Sequence, residues 1–216
     1  MLYHIRQCTN AGCRFRFPAA DDDKRGDYCP HCGAETAVTA VPTTHNSGSP
    51  SADLPPDPCH LEVLLDNIRS VYNVGAMFRT ADGAGVAHLH LCGITAPPTH
   101  PKLAKTALGA ESNLPWTQWR NGVETAVSLQ QQQYQLWALE SMPDAEPLFT
   151  ARLTDPQRPI LFIVGNEKVG VDPDILARCD RVFSLPMQGV KESLNVAVAF
   201  GIALYHIRFG MEKDHE

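Results

Sequence analysis

Apolar and polar residues alternate in blocks along residues 59–216, and the blocks change between two periods. Short apolar runs bounded by turn-forming residues predict strands at residues 61–65, 86–91, 135–139, 160–164 and 181–185. Apolar positions three and four residues apart predict helices at residues 73–84, 102–107, 122–131, 173–178 and 193–208. Strands that alternate with helices indicate an α/β domain with a mainly parallel sheet.

The predicted helix starts and strand ends locate the parts of this domain. Asn73 and Ser193 are residue types that cap helices, and each stands where a helix is expected to begin. The last helix is apolar on most of its sides, so we expect it to be largely buried. Ligands of parallel sheets bind beyond the carboxyl ends of the strands, so the loops after Val164 and Leu185 are the expected binding region.

Composition divides the chain into three parts. Residues 1–36 hold four of the seven cysteines, and residues 37–58 are rich in proline, serine and threonine. We therefore expect a small module, a flexible linker over 37–58 and one larger domain over 59–216. No apolar run is long enough to span a membrane and no secretory leader is evident, which favours a cytoplasmic protein.

The clustered cysteines are arranged as two close pairs, Cys8 with Cys13 and Cys29 with Cys32. Two such pairs separated by a loop supply four thiolates to one tetrahedral ion. A segment this short has too few apolar residues to fold unaided, and a structural metal supplies the missing stability. The pattern resembles a zinc ribbon. Cysteine at all four positions leaves no open place for catalysis, so we expect structural zinc.

Net charge bounds the possible partners. The formal charge of −6 is unfavourable for a nucleic-acid partner, because binding phosphates needs positive charge. A local basic patch within an acidic chain still permits such binding. Charge alone therefore does not exclude RNA.

Three motifs follow one another in the larger domain. They are Asn73-x-Gly75-x3-Arg79-x-Ala81, Gly165-Asn166-Glu167-x2-Gly170 and Pro186-Met187-x-Gly189-x3-Ser193-Leu194-Asn195-Val196. Gly83-x-Gly85 is not a dinucleotide-binding fingerprint, because His88 stands where its third glycine is required. Gly165 and Gly170 have the spacing of a P-loop, but Val171 stands where its lysine is required. Taken singly, Arg79 could be an exposed arginine and Ser193 a helix cap.

In this order, the motifs resemble the SpoU (TrmH-type) branch of the SPOUT RNA methyltransferases, over about residues 60–208. The resemblance implies an α/β domain with a C-terminal trefoil knot that begins near Ile160. It also implies S-adenosylmethionine as cofactor, methyl transfer to a ribose 2′-hydroxyl of tRNA or rRNA, and a homodimer. The cofactor would lie against a set of loop residues: Leu139, Gly165, Leu185, Met187 and Leu194.

The resemblance also assigns catalytic roles. Arg79 would assist removal of the hydroxyl proton, although a guanidinium carries no free lone pair at neutral pH. Asn73, Glu167, Ser193 and Asn195 would orient Arg79 and the RNA. Two alternatives remain open at this point: a non-catalytic RNA-binding protein, and an adaptor whose zinc ribbon binds another macromolecule.

Overall fold

The computed structural model describes residues 2–42 and 59–212, and it divides the chain into two compact units, Met1–Leu54 and Pro55–Glu216. Both units contain their own sheet.

The first unit is a small antiparallel sheet with strand order β2-β1-β3. Its strands are β1 (Tyr3–Cys8), β2 (Arg16–Ala20) and β3 (Thr36–Ala40), and a 3₁₀ turn covers Lys24–Asp27. The linker was expected to begin at residue 37, whereas β3 pairs with β1 as far as Ala40. The β-branched residues of β3 fit a pleated strand, which corrects the predicted boundary. Residues 43–58 of the expected linker lie outside the described residues.

The second unit is built on a seven-stranded sheet with order β6-β5-β4-β9-β7-β10-β8. The strands are β4 (Leu61–Asp66), β5 (His88–Cys92), β6 (Trp116–Trp119), β7 (Gln135–Leu139), β8 (Glu146–Pro147), β9 (Ile160–Val164) and β10 (Arg181–Ser184). Each described pairing in this sheet is parallel, which confirms the predicted α/β class. The trefoil knot concerns how the chain is threaded, and it stays a prediction.

Helices cover both faces of this sheet. They are α1 (Val71–Gly83), α2 (Ala104–Ala107), α3 (Ala110–Asn113), α4 (Gly122–Gln131), α5 (Pro173–Leu176) and α6 (Val196–Tyr205), with a 3₁₀ turn at Leu148–Thr150 and a π-helical turn at His206–Gly210. Within the described ranges, none of these helices is both long and apolar enough to cross a bilayer.

Alternating side chains of the strands form two separate cores. On one face, Val63 and Phe162 pack with Phe78 of α1 and Phe200 of α6. On the other face, the side chain of Leu64 belongs to a smaller core with residues of α4 and α5. The buried strands are apolar towards both faces, as expected for a parallel sheet that is covered on both sides.

Three short elements were not expected from the sequence: β6, β8 and α3. Each has four residues or fewer, and a segment so short does not complete a recognisable apolar period. Strand β6 lies at the edge of the sheet, where Trp116 packs on the core and Trp119 is exposed. Its position is therefore set by pairing with β5.

Two expected helix caps are corrected by the structure. Ser70 caps α1 through its hydroxyl, which accepts the backbone N–H of Asn73. Asn195 caps α6 by accepting the N–H groups of Ala197 and Val198, so α6 begins after Ser193. Asn73 and Ser193 are thereby left free for other contacts.

The last helix is less buried than its composition indicates. Phe200, Ala203 and Leu204 are buried, but Val198 is 51% and Tyr205 45% exposed. A helix that is apolar on every side is buried only if other parts of the protein cover every side of it. In this chain one side of α6 packs on the sheet and the other is an apolar surface.

Arg208 joins the end of this unit to its beginning. The guanidinium is buried and donates to the carbonyl oxygens of Cys59, Ala84 and Gly85. Loss of the guanidinium leaves the buried carbonyl groups of Cys59 and Ala84 without these donors, which costs about 1–3 kcal/mol for each unsatisfied group.

We expect Arg208→Met to lower the free energy of unfolding by about 3 kcal/mol. Urea unfolding followed by tryptophan fluorescence measures this, because all three tryptophans lie in residues 59–216. Arg178→Met, at an exposed arginine, is the matched control. If Arg208→Met lowers the free energy of unfolding by less than about 0.5 kcal/mol, as an ordinary surface substitution does, the stabilising role of Arg208 is contradicted.

Candidate functional site

A cavity of about 330 Å³ opens beyond the carboxyl ends of β7, β9 and β10; we call it the strand-end cavity. The five residues predicted to contact a cofactor all line it: Leu139, Gly165, Leu185, Met187 and Leu194. Glu167, Ser193 and Asn195 line it as well. These loops lie up to about 55 residues apart in the sequence, from Leu139 to Leu194, and the fold of the second unit brings them together.

Glu167 ties the loop after β9 to the start of α1. One carboxylate oxygen accepts the backbone N–H of Arg69 at 2.9 Å, and the other accepts the N–H of Ser70 at 3.0 Å and the side-chain amide of Asn73 at 2.9 Å. Burial raises the pKa of Glu167, but these donors outweigh burial and hold the pKa below its usual value. The carboxylate is therefore ionised at neutral pH.

Asn73 extends this contact to the third motif. Its side-chain oxygen accepts the amide of Asn195 at 3.3 Å. Asn195 in turn begins α6, so Glu167, Asn73 and Asn195 form one chain of polar side chains between three elements. Ser193 lines the same cavity, but it makes no side-chain hydrogen bond among the described residues.

The second motif is a loop that folds back on itself. Asn166 and Gly170 exchange two backbone hydrogen bonds of 2.9 Å, and the Asn166 side chain donates to the carbonyl of Asn67. A Cβ on Gly165 would lie 2.2 Å from the backbone nitrogen of Val171. Glycine was expected here for close approach to a ligand, whereas the near neighbour in the structure is the loop's own backbone.

Glu140 is a residue that the sequence analysis missed. Its carboxylate accepts the N–H of Val171 at 2.9 Å and that of Ser141 at 2.9 Å, and it lines the strand-end cavity. Gly170 has a φ of 77°, and any Cβ there would collide with this carboxylate. Only its position in the sequence could have indicated this role, because Glu140 directly follows the buried strand β7 at the carboxyl edge of the sheet.

Arg79 lies apart from the strand-end cavity in this chain. It lines a separate surface cavity with Lys105, Thr106 and Tyr205. Helix α2 comes close to α1 here, because a Cβ on Gly75 would lie 2.0 Å from the hydroxyl of Thr106. The residues of the first motif therefore have different locations. Gly75 lets α1 and α2 pack closely, Asn73 contacts Glu167 beside the strand-end cavity, and Arg79 lines the separate surface cavity.

The four clustered cysteines meet in the first unit. All four Sγ atoms lie within 4.8 Å of one another, with Cys8 and Cys32 3.5 Å apart and Cys13 and Cys29 3.8 Å apart. Zinc–sulfur bonds of about 2.3 Å in a tetrahedron give sulfur–sulfur distances of about 3.8 Å. The donor set and its spacing therefore fit a tetrahedral zinc ion.

Comparison with known proteins identifies the family of the second unit. The profile of the SpoU rRNA Methylase family matches residues 60–205. The chain belongs to this family. The resemblance drawn from the three motifs is thereby confirmed, and the match covers α1 to α6 of the second unit.

Curated relatives in the SpoU family include RlmB of Vibrio parahaemolyticus, named as a 23S rRNA (guanosine-2′-O-)-methyltransferase. It is 32% identical over 146 residues, which cover 67% of this chain and 57% of the relative. RlmB of Haemophilus influenzae is 31% identical, and the aligned part covers 68% of this chain and 58% of the relative. The chain thus spans little more than half the length of these relatives.

Solved structures give the same fold. A TrmH/SpoU tRNA-modifying enzyme of A. aeolicus superposes with a TM-score of 0.62 at 27% identity, covering 70% of this chain and 75% of that one. The SpoU methyltransferase AviRb of Streptomyces viridochromogenes, solved in complex with AdoMet, superposes with a TM-score of 0.60 at 26% identity, covering 80% of this chain and 64% of that one.

We expect Glu140→Ala to release the loop after β9, because the amide of Val171 then loses its acceptor. Hydrogen–deuterium exchange at this amide should accelerate by about tenfold, and less in Glu140→Gln, which keeps a side-chain oxygen. Amides in the core strand β4 serve as an internal control. Unchanged exchange at Val171 in the alanine variant would refute the role of Glu140.

Proposed function

We propose that this protein transfers the methyl group of S-adenosylmethionine to a ribose 2′-hydroxyl of RNA. The observation that carries the proposal is the strand-end cavity, where residues of the second and third motifs meet and Asn73 of the first reaches them through Glu167. The names of the family relatives support the reaction, and rRNA or tRNA is the proposed substrate.

The strand-end cavity fits S-adenosylmethionine in size and chemistry. Its volume of about 330 Å³ lies within the range of small-molecule sites. Leu139, Val164 and Leu185 offer an apolar surface suited to an adenine ring, and Glu140 and Glu167 place carboxylates where a cationic ligand is favoured. When bound, the cofactor supplies an electrophilic methyl group on a sulfonium.

The protein must then position the ribose and favour loss of its proton. The hydroxyl is a weak nucleophile, so the reaction is helped by charge that stabilises the developing oxyanion. We assign this role to Arg79, with an RNA phosphate or solvent taking the proton. Asn73, Glu167, Ser193 and Asn195 would orient the ribose and its phosphate.

We further propose a homodimer that packs through the exposed side of α6. Val198, Ile202 and Tyr205 make this side apolar, and a second copy would remove it from water. Tyr205 also lines the cavity of Arg79, so the proposed interface and Arg79 adjoin. In such a dimer both chains would line the groove that binds RNA. Arg79 of one chain would complete the strand-end cavity of the other chain.

For the first unit we propose a structural zinc site formed by Cys8, Cys13, Cys29 and Cys32. The sulfur spacing supports this, and Gly33, with a φ of 73°, makes the tight turn after the second cysteine pair. We propose that this module extends through β3, to residue 40, and that the SpoU domain covers residues 59–216.

We expect Arg79→Ala to reduce methyl transfer by about 100-fold or more while leaving AdoMet binding unchanged, because the variant removes charge stabilisation only. Transfer of a tritiated methyl group to bulk cellular RNA measures activity, and calorimetry measures cofactor binding. Arg178→Ala is the matched control.

Two outcomes would contradict this reaction. Wild-type transfer rates in Arg79→Ala would remove Arg79 from the mechanism. Wild-type protein that binds cofactor and RNA but transfers no methyl would instead favour the non-catalytic RNA-binding alternative.

We expect the purified protein to contain a zinc ion per chain and Cys29→Ser to lose it. The same variant should lose amide protection in β1 and β3, because the module depends on the metal. Cys179→Ser, outside the cluster, is the control and should retain zinc. A folded, protected first unit without zinc would refute the site.

A further inference from the structure

A further cavity lies against the edge of the large sheet, and we call it the Trp119 cavity. It has a volume of about 350 Å³ and lies between β5, the end of β6 and one side of α4. Its lining includes Trp119, Arg120, Glu124, Ser128 and Gln132. None of these residues lines the strand-end cavity.

The Trp119 side chain is held in one orientation by buried groups. Its indole N–H donates to Nδ1 of His90 at 3.0 Å. An indole only donates, so Nδ1 accepts and the proton of the neutral imidazole is on Nε2. That Nε2–H donates to the Glu62 carboxylate at 2.8 Å. His90 is nearly inaccessible, with 7% of its side chain exposed.

Glu62 anchors this chain of hydrogen bonds. It also accepts the Tyr134 hydroxyl at 2.8 Å and contacts Nε2 of His60 at 3.0 Å. Burial raises the pKa of Glu62, but the hydrogen bonds from His90, His60 and Tyr134 outweigh burial and lower it to about 2. The acceptor therefore stays ionised at neutral pH, and the indole keeps its support.

The same indole is left open on one side. Trp119 is 42% exposed although its N–H is bonded inside the protein. The neighbouring Arg120 is exposed, and its guanidinium makes no hydrogen bond or ion pair with any described residue. A rigid exposed aromatic ring beside an unpaired cation is the combination that binds a nucleotide, by stacking on the base and by attracting the phosphate.

We propose that the Trp119 cavity binds an unpaired nucleobase of the RNA, stacked on Trp119 with its phosphate at Arg120. This inference rests on the proposed function for the identity of the ligand as RNA. Ser128 presents a hydroxyl of the kind that pairs with base edges, as does the side-chain oxygen of Gln132, whose amide nitrogen donates to the Ser128 carbonyl at 3.2 Å. Glu124 is the acidic member of the lining, and its carboxylate accepts a hydrogen bond from the Asn121 side-chain amide at 3.1 Å.

The position of the cavity separates this base from the reacting nucleotide. Trp119 ends β6, and β5 and β4 lie between β6 and β9. With strands about 4.8 Å apart, the ends of β6 and β9 are about 14 Å from each other. A base at Trp119 therefore belongs to a different nucleotide from the one whose ribose meets the strand-end cavity, and the cavity acts in substrate selection.

The test compares Trp119→Leu and Arg120→Gln with wild type, and Arg178→Gln makes the same charge change at an exposed arginine outside both cavities. Binding of fluorescein-labelled single-stranded oligouridylate is measured by anisotropy, and methyl transfer is measured against RNA and against AdoMet concentration. Thermal melts establish that the variants are folded.

We expect both cavity variants to weaken oligouridylate binding and to raise KM for RNA by roughly tenfold. KM for AdoMet and kcat should stay as in wild type, as should every value for Arg178→Gln. Arg120→Gln leaves the packing of Trp119 intact, so it keeps the test valid if Trp119→Leu is unstable.

Two results separate this inference from the proposed function. Folded variants that bind oligouridylate and transfer methyl groups with wild-type constants would overturn the Trp119 cavity as an RNA site and leave the function standing. Wild-type protein that binds oligouridylate through these two residues but transfers no methyl would support the cavity and refute the function.

Discussion

The arrangement of the site depends on the carboxylate of Glu167. It satisfies backbone N–H groups at the start of α1, where a helix leaves its first donors without partners, and it holds Asn73 as well. Negative charge is also favoured at this end of a helix dipole. Backbone pairing fixes the ends of β4 and β9, and the Glu167 side chain joins the loop after β9 to the start of α1, which follows β4.

Further contacts give the loop after β9 its shape. The carboxylate of Glu140 accepts a backbone N–H of this loop, and the side-chain amide of Asn166 donates to a backbone carbonyl of the loop after β4. Gly165 and Gly170 make the tight fold of the loop possible. Loop backbone that is bonded at both ends loses little conformational entropy when a ligand arrives, so the wall of the strand-end cavity is organised in advance. The same contacts explain why the motif needs glycine, asparagine and glutamate in this order.

An acidic chain meets an RNA substrate in this proposal, and the distribution of charge makes that compatible. Several carboxylates are engaged by partners: Asp27 pairs with Arg6, Asp23 with Arg25, and Glu62 with His90, His60 and Tyr134. Arg79 and Arg120 by contrast make no ion pair with any described residue, and both line surface cavities. Net charge counts all these groups equally, whereas a phosphate responds to the cations within about a Debye length of it.

The sequence alone determined the fold class, the family and much of the element order. The bounds of α4, β7 and β9 agree with prediction, since each is a strongly apolar or well-capped segment whose period is complete within itself. That Gly165 and Leu194 lie close together was predictable, because parallel strands end at one edge of the sheet and the motifs follow those strands.

Only the tertiary structure decided which groups meet. The exposed side of α6, the role of Glu140 and the separation of Arg79 from the strand-end cavity all depend on contacts between residues far apart in the chain. A local apolar pattern records that a side chain avoids water, but it does not record which element covers it. For the same reason Asn73 looked like a cap and is instead the link between Glu167 and Asn195.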